Sequence, residues 1–343
     1  MSRFRLRSLW ALTVVRFWLI LREPEAIFWI FIFPILLAGG LGIAFRNRPP
    51  EVLPVAATTP QLTQALAADK ELKATEMDEA AGRHALGTGG ILLLAVERDG
   101  GVVYEYDSTN PDARIARLLA DGAIQRAGGR RDAVKAGNEL VHEVGSRYID
   151  FVVPGLLGMN LMGSAMWGLG FAIVEARQKK LLKRLVASPM PRWQYLMSFL
   201  LSRLALLAVE VVAFLGFARL AFGVPFRGPL WQLGAVCVLT SMVFSAMGLL
   251  VASRARTMEA VSGLMNLTML PMWILSGVFF SASRFPAAIQ PLVQALPLTA
   301  AINAMRGNML QGTGMGQMLA PVGILLAWFA VPFAVSVRIF RWR

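Results

Sequence analysis

The sequence predicts an α-helical polytopic membrane protein with six transmembrane helices, an inserted small α/β extracytoplasmic domain, and a re-entrant or interfacial helical hairpin before the last span. Composition is the first reason: of 343 residues, 56% are hydrophobic and only 16% are charged, whereas a soluble domain carries about 25% charged residues. The second reason is that five predominantly apolar stretches of at least nineteen residues, apart from the proline-rich Phe285–Met305, contain no Asp, Glu, Lys or Arg, and a helix needs about 20 apolar residues to cross a bilayer. These stretches are Ile27–Phe45, Phe151–Val174, Gly228–Ser253, Ala260–Ser283 and Gly307–Val337.

Residues 1–26 are expected to form a cytoplasmic interfacial helix ahead of the first span at 27–45. They interleave arginines with Trp and Phe, a composition that suits the membrane surface. Pro24 ends or redirects this helix. The basic start resembles a signal peptide, but Arg16 interrupts its apolar part and no small-residue cleavage site follows Leu21. We therefore expect the segment to be retained.

Residues 46–147 form the one soluble-looking block and are expected to be the extracytoplasmic α/β domain. Strands are predicted at Leu53–Thr58 and at Ile91–Arg98, and a Gly-Gly turn leads from the second into Val102–Asp107 as a hairpin. Pro111 opens a helix over Asp112–Ala127 with apolar residues at helical spacing. These apolar residues are Ile115, Leu118, Leu119 and Ile124. Shorter helices are predicted at Pro60–Ala68 and Asp78–Leu86.

Residues 148–343 are expected to form a five-helix transmembrane domain. Its predicted segments are span two at 148–174, a coupling helix at 175–189, span three at 193–222, span four at 230–252, span five at 260–280, the re-entrant hairpin at 284–305 and span six at 318–340. Phe285–Met305 is also free of charge, but its three prolines and its Gln and Asn residues are poor for a lipid-facing helix.

The distribution of Lys and Arg sets the predicted orientation. With six spans, the four cytoplasmic segments hold five, six, two and three Lys or Arg, while the short outer loops hold Arg227, Arg284 and Arg306. Basic residues favour the cytoplasmic side. Both termini are therefore expected in the cytoplasm of a multi-pass protein of the inner membrane, with residues 46–147 outside. The net charge of +13 does not indicate nucleic-acid binding, because residues 46–150 carry thirteen Lys or Arg against sixteen Asp or Glu.

The sequence contains no constellation of residues for bond-making chemistry. A phosphate-binding loop needs a Gly-Lys pair, and none occurs in these 343 residues. The two histidines, His84 and His142, and the single Cys237 exclude a catalytic triad, a zinc cluster and an intrachain disulfide. We expect a chain that is not itself an enzyme and that binds neither a metal nor a cofactor.

The charged segment after span two has two interpretations. Leu181, Leu182, Leu185 and Val186 make an apolar stripe with basic residues beside it, which predicts an amphipathic helix that ends at Ser188-Pro189. The segment is then either a positive-inside topology signal or a socket that receives force from a partner protein. Charge reversal at Glu175 and Arg177 is expected to leave folding intact, because exposed charges contribute little to stability.

Glu210 lies near the middle of span three, with Arg203 seven residues earlier on the same helix face. An ionisable side chain at that depth costs several kcal/mol by insertion scales. The pair is either a structural contact between helices or part of a translocation path. In span two, Gly158, Gly163, Gly168 and Gly170 favour close helix packing over a ligand site.

An ordered set of short motifs resembles the ABC-2 type permeases over nearly the whole chain. The set begins with Arg22-Glu23-Pro24 before span one and continues with Pro154-Gly155 in span two, then Glu175-x-Arg177 and Ser188-Pro189. The last third carries its most specific part. That part consists of Ser276-Gly277, Pro297-Leu298-Thr299, Arg306-Gly307 and Gln311-Gly312.

The resemblance implies the permease subunit of an ATP-driven exporter that moves a hydrophobic or amphipathic substrate, such as a drug, lipid or polyketide-like molecule. It implies that ATP and Mg are bound by two cytoplasmic ABC ATPase subunits, and that this chain pairs with a second permease copy or paralogue through spans two and five. It also admits a periplasmic adaptor. The residues implied in coupling to the ATPase are Glu175, Arg177, Leu181, Leu182, Arg184, Leu185, Ser188 and Pro189.

Two other classes of membrane protein fit the same residues less well. A non-transporting membrane receptor or scaffold would use the α/β domain to bind a ligand, but it would need a longer cytoplasmic signalling segment than the sequence predicts. An ion-coupled transporter would carry several intramembrane acids, and here Glu210 is almost alone.

Overall fold

The computed structural model describes residues 2–45, 52–131, 147–179, 192–255 and 257–339. Its helices in chain order are α1 Ser2–Leu21, α2 Pro24–Ala44, α3 Pro60–Ala67, α4 Glu79–Gly87, α5 Pro111–Ala127, α6 Tyr148–Gln178, α7 Arg192–Phe222, α8 Leu230–Arg254, α9 Met258–Leu275, α10 Gln290–Ala295, α11 Pro297–Arg306 and α12 Met315–Ile339. Its strands are β1 Leu53–Ala57, β2 Leu72–Glu76, β3 Leu93–Arg98 and β4 Gly101–Tyr106. The chain forms two compact units, Met1–Arg46 with His142–Arg343 and Asn47–Val141.

Within the described residues, six helices are long and apolar enough to cross a membrane, which confirms the number of spans predicted from the sequence. They are α2, α6, α7, α8, α9 and α12. Helix α9 stops at Leu275, short of the predicted end of span five at 280. The reason is Gly277, whose φ of +77° lies in the left-handed region that ends helices and that favours glycine.

Helix α6 occupies the centre of the helical unit. It packs against α8, α9, α11 and α2, and its large apolar side chains at Leu156, Leu157, Leu161, Met162 and Met166 are fully buried. Helix α8 in turn packs against α12, and α1 lies along α7. Helix α6 therefore contacts most helices of the bundle, either directly or through α8.

Short helices replace a seventh span between α9 and α12. Helix α10 has 6 residues, α11 has 10, and a π-helical turn over Gly307–Gln311 follows. At 1.5 Å per residue, α11 extends about 15 Å, roughly half of the hydrocarbon core. Eight of its residues are nevertheless buried, so it packs inside the bundle.

The second unit is built on a four-stranded sheet in the order β2-β1-β3-β4. Strand β1 pairs in parallel with β2 and β3, and β3 and β4 form the predicted antiparallel hairpin around Asp99-Gly100. Apolar residues of α3 and α5 cover one face of the sheet, and α4 covers Leu94 and Val96 on the other. Strand β2 was not predicted, because Lys73, Thr75 and Glu76 of this edge strand are exposed and polar.

Helix α5 buries a different face from the one that its apolar spacing suggests. Ile115 and Leu118 are 50% and 65% exposed, while the buried positions are Ala113, Ala116, Ala120 and Ala123. Alanine has a short side chain, so this face lets the helix lie close to the sheet. The larger side chains on the helix are left outside the core or at its margin.

Candidate coupling and translocation site

The C-terminal end of α6 is anchored to the C-terminal end of α8 by Arg177. Its guanidinium donates to the carbonyls of Ala252, Ser253 and Ala255 at distances of 3.2, 3.4 and 2.7 Å. The last carbonyls of a helix lack intrahelical partners and carry partial negative charge, so a cation is stabilising there. The expectation that Arg177 is a free surface charge is wrong, because its side chain is partly buried among these carbonyls.

Glu175 belongs to the same last turn of α6, which runs past the predicted end of span two at 174 and continues to Gln178. Lys179 Nζ donates to Glu175 Oε1 at 2.5 Å. This hydrogen bond, and the negative charges of Glu175 and Glu23, hold the pKa of Lys179 above its ordinary value. Of the Arg22-Glu23-Pro24 motif, Pro24 begins α2.

The rest of the predicted coupling helix lies outside the described residues. This holds for Leu181, Leu182, Arg184, Leu185, Ser188 and Pro189. Of the predicted coupling helix, the structure describes only residues 175–179. They form the charged end of α6, the most buried of the candidate spans.

A polar cluster joins α6 to α7 in the middle of the bundle. Ser164 Oγ donates to Glu210 at 2.9 Å from Oε1 and 3.1 Å from Oε2, and Arg203 Nη2 lies 2.7 Å from Ser164 Oγ. Arg203 is 3.9 Å from the Glu210 carboxylate, whose side chain is fully buried. The structure thus brings together the two charges singled out in the sequence, with Ser164 as an unpredicted third member. In this conformation the Glu210 side chain is buried between helices.

A second cluster joins the N-terminal part of α6 to the turn after α9 and to α11. A Cβ added to Gly155 would lie 2.5 Å from the carbonyl oxygen of Val278, so only glycine fits this approach. Arg306 Nη2 donates to the carbonyls of Phe151 and Gly277, each at 3.1 Å. The family-motif residues Gly155, Gly277 and Arg306, far apart in sequence, meet here. Pro154 is next to them within α6.

The remaining motif residues lie on or beside α11. Pro297 occupies the first turn of α11 and Thr299 is fully buried on it. Gly312 ends the π-helical turn with a φ of +63° and donates its backbone amide to the Asn308 carbonyl. Asn308 Nδ2 donates to Gln232 Oε1 of α8 at 3.1 Å, a buried amide pair that sequence reasoning missed.

Two further polar contacts were missed although the sequence held a signal for each. Asn160, a lone amide in a long apolar run, donates to the carbonyl of Ile30 at 3.0 Å. Asp150, an acid at the start of span two, accepts two hydrogen bonds of 2.9 Å from Arg147. An isolated polar residue inside an apolar stretch was the available sign, because a membrane interior offers no water to satisfy it.

Comparison with known proteins decides the family. The model for the ABC-2 type transporter matches residues 107–310, which is more than half of the chain. The chain belongs to the ABC-2 type transporter family. The matched region contains the Arg177, Glu210 and Arg306 contacts described above, whereas the Arg22-Glu23-Pro24 motif and α12 lie outside it.

The ABC-2 protein is also similar to characterised permeases. It is 28% identical over 198 residues to the inner membrane transport permease YadH of Escherichia coli (strain K12), covering 57% of this chain and 76% of YadH. It is 27% identical over 206 residues to nodulation protein J of Bradyrhizobium diazoefficiens, with 58% and 76% covered. The linearmycin resistance permease protein LnrN of Bacillus subtilis is 26% identical over 179 residues, with 51% and 46% covered. The family and these names make the ABC-2 protein a multi-pass transport permease.

Proposed function

We propose that this ABC-2 permease is the membrane subunit of an exporter that moves a hydrophobic or amphipathic molecule out of the cytoplasm. ATP and Mg are bound by two separate cytoplasmic ATPase subunits, and a second permease copy or paralogue completes the transporter. Support for export of a drug-like molecule comes from the similarity to a permease named for linearmycin resistance. The vesicle assay described below identifies the molecule that is carried. Copurification shows whether a periplasmic adaptor takes part.

The observation that carries the proposal is the charged end of α6. This helix is the most buried of the candidate spans, and its last turn exposes Glu175 and Lys179 while Arg177 grips the end of α8. A partner that pushes on this end therefore moves two packed spans at once. Such an arrangement suits a subunit that receives mechanical work from an ATPase.

Orientation follows from the same proposal. On the side of the bundle where α6 ends, the segment from residue 177 to residue 192 holds six Lys or Arg. Basic residues favour the cytoplasm. We place this side and both termini in the cytoplasm, and the sheet unit outside.

The test begins with affinity purification of the full chain from its native membrane to identify the copurifying ATPase. The complex is then placed in inside-out and right-side-out vesicles with ethidium, an NBD-labelled phospholipid or linearmycin as probe. An exporter accumulates at least one probe in inside-out vesicles when ATP is added, and does so only when both proteins are present. The chain alone should release no phosphate from ATP.

Three results would contradict the proposal. Sustained ATP hydrolysis by the isolated chain would remove the need for a partner. ATP-dependent uptake confined to right-side-out vesicles that were sealed with ATP inside would make it an importer. A chain that binds a ligand through the sheet unit, and copurifies with no ATPase, would be a receptor or scaffold.

A further inference from the structure

Arg306 is the last residue of α11, and its guanidinium donates hydrogen bonds to main-chain carbonyls of two other segments. Nη2 lies 3.1 Å from the carbonyl of Phe151 in α6 and 3.1 Å from that of Gly277 in the turn after α9. The guanidinium carbon also stands 3.8 Å from the centre of the Phe151 ring. Charged donors make stronger hydrogen bonds than neutral ones, and the ring adds a cation–π contact. One side chain thus holds three segments.

Two independent contacts join the same segments. Tyr148 donates its hydroxyl to the carbonyl of Phe279 at 3.1 Å. Gly155 brings the α6 backbone against that of Val278. The turn is therefore bound to α6 at three successive levels along the helix, those of Tyr148, Phe151 and Gly155.

Beyond these levels the contacts of α6 change. A Cβ at Gly158 would lie 2.9 Å from the Ile302 side chain of α11, and α8 approaches α6 closely where Gly248 meets Met166. Further along, α6 binds α7 through Ser164 and α8 through Arg177.

We propose that Arg306 is a positioning residue that makes the start of α6, the 276–280 turn and α11 move as one block when the permease changes conformation. Movement imposed on the far end of α6 is then delivered to the short helices between α9 and α12. Arginine suits this position because one planar guanidinium both donates from Nη2 to the two carbonyls and lies over the Phe151 ring, whereas a lysine ammonium is a point donor without that plane. The block itself is read from contacts, and only its role in transport rests on the proposed function.

The first experiment measures hydrogen–deuterium exchange in the full chain in lipid nanodiscs, without an ATPase. Arg306→Gln is expected to speed exchange in the 276–280 turn by about tenfold, the effect of losing one charge-assisted bond, and to speed it in the first turns of α6 as well. The matched control is Arg284→Gln, an exposed arginine in the same connection, which should change neither.

Faster exchange confined to α11, or an equal effect of the control, would overturn the proposal. Should Arg306→Gln fail to fold, Arg306→Lys keeps the charge but loses the planar group that lies over the Phe151 ring, and it should show the same pattern at lower amplitude. A lysine variant that is identical to the wild type in both the turn and α6 would also overturn it.

The second experiment uses the complex with its ATPase. Arg306→Lys should keep ATP hydrolysis within about twofold of the wild type while the amount of ethidium or labelled lipid carried per ATP falls about tenfold. Equal losses of hydrolysis and transport would mean a merely structural role. If the wild-type complex carries no probe, the proposed function fails, and the exchange result still decides whether the block exists.

Discussion

The side-chain amide of Asn160 in α6 donates a 3.0 Å hydrogen bond to the carbonyl of Ile30, inside a π-helical turn of α2. In such a turn the i→i+4 pattern is interrupted, which leaves backbone groups in need of other partners. Hydrocarbon supplies none, so the partner must come from a neighbouring helix. The irregular turn over Phe28–Ile32 is thus stabilised from α6.

We predict that Asn160→Ala lowers the stability of the bundle by about 1 kcal/mol, the scale of an interhelical hydrogen bond in a membrane. Thermal unfolding in detergent or nanodiscs measures this. Asn266→Ala serves as the control, because Asn266 lies exposed on α9. Equal melting temperatures for the two variants would show that the Asn160 contact contributes nothing.

Ser164→Ala should also destabilise the protein, again by about 1 kcal/mol. The mutation removes both hydrogen bonds to Glu210 and, among the residues that the structure describes, leaves the carboxylate with Arg203 alone, at 3.9 Å. Ser262→Ala is the matched control, since its hydroxyl bonds only to its own helix at Met258. Glu210→Gln is then added to the Ser164→Ala variant. A restored melting temperature means that the loss of stability came from the Glu210 charge left without its hydrogen bonds, and an unchanged melting temperature refutes that cause.

Arg177 and Glu175 are expected to behave differently when their charges are reversed. Arg177→Glu sets a carboxylate against three carbonyls and should cost about 2–3 kcal/mol. Glu175→Lys breaks only an exposed pair and should leave stability nearly unchanged. Melting temperature and binding of the ATPase are measured for both, with Arg254→Glu as an exposed control. Loss of ATPase binding in a stable Glu175→Lys variant supports a coupling surface, and normal binding and transport would make the segment a topology signal.

Cysteine labelling tests the proposed orientation. Cys237 is buried and is replaced by serine, and single cysteines are placed at Ser108 or Ser188. A membrane-impermeant maleimide should label position 108 in intact cells and reach position 188 only after the membrane is opened. The reverse pattern would invert the topology.

The sheet unit should lose local stability in acid. Hydrogen bonds from Arg83 to Glu105, at 2.7 and 2.9 Å, hold the pKa of this carboxyl below its usual 4.5. A depressed pKa stabilises the fold above about pH 4.5, and the gain is lost as the pH falls through the lower folded value. Pepsin cleavage within residues 53–127 should therefore rise below pH 4.5 relative to Glu105→Gln. A constant ratio between the two proteins across that range would exclude the linkage.

The features of the fold and of the polar clusters that the sequence predicts are those that depend on residues close together in the chain. The spans follow from local composition, and the β3–β4 hairpin follows from a glycine turn. The clusters do not, because Ser164 meets Glu210 across 46 positions and Phe151 meets Arg306 across 155. Prediction from local sequence also fails for the buried face of α5. The spacing of Ile115 and Leu118 suggested one face, but the face that is buried is the one lined by alanines.

The contacts between α6 and the turn after α9 also constrain how the protein is made. The partners of Tyr148 and Phe151 lie 131 and 155 positions further along the chain. A ribosome adding about 5–20 residues per second takes several seconds or more to supply them. During that interval α6 is already synthesised, but Val278, which packs on Gly155, and Arg306, which binds the Phe151 carbonyl, are not. Completion of the central helix therefore waits for nearly the last segment to arrive, and the membrane must hold an unfinished bundle until then.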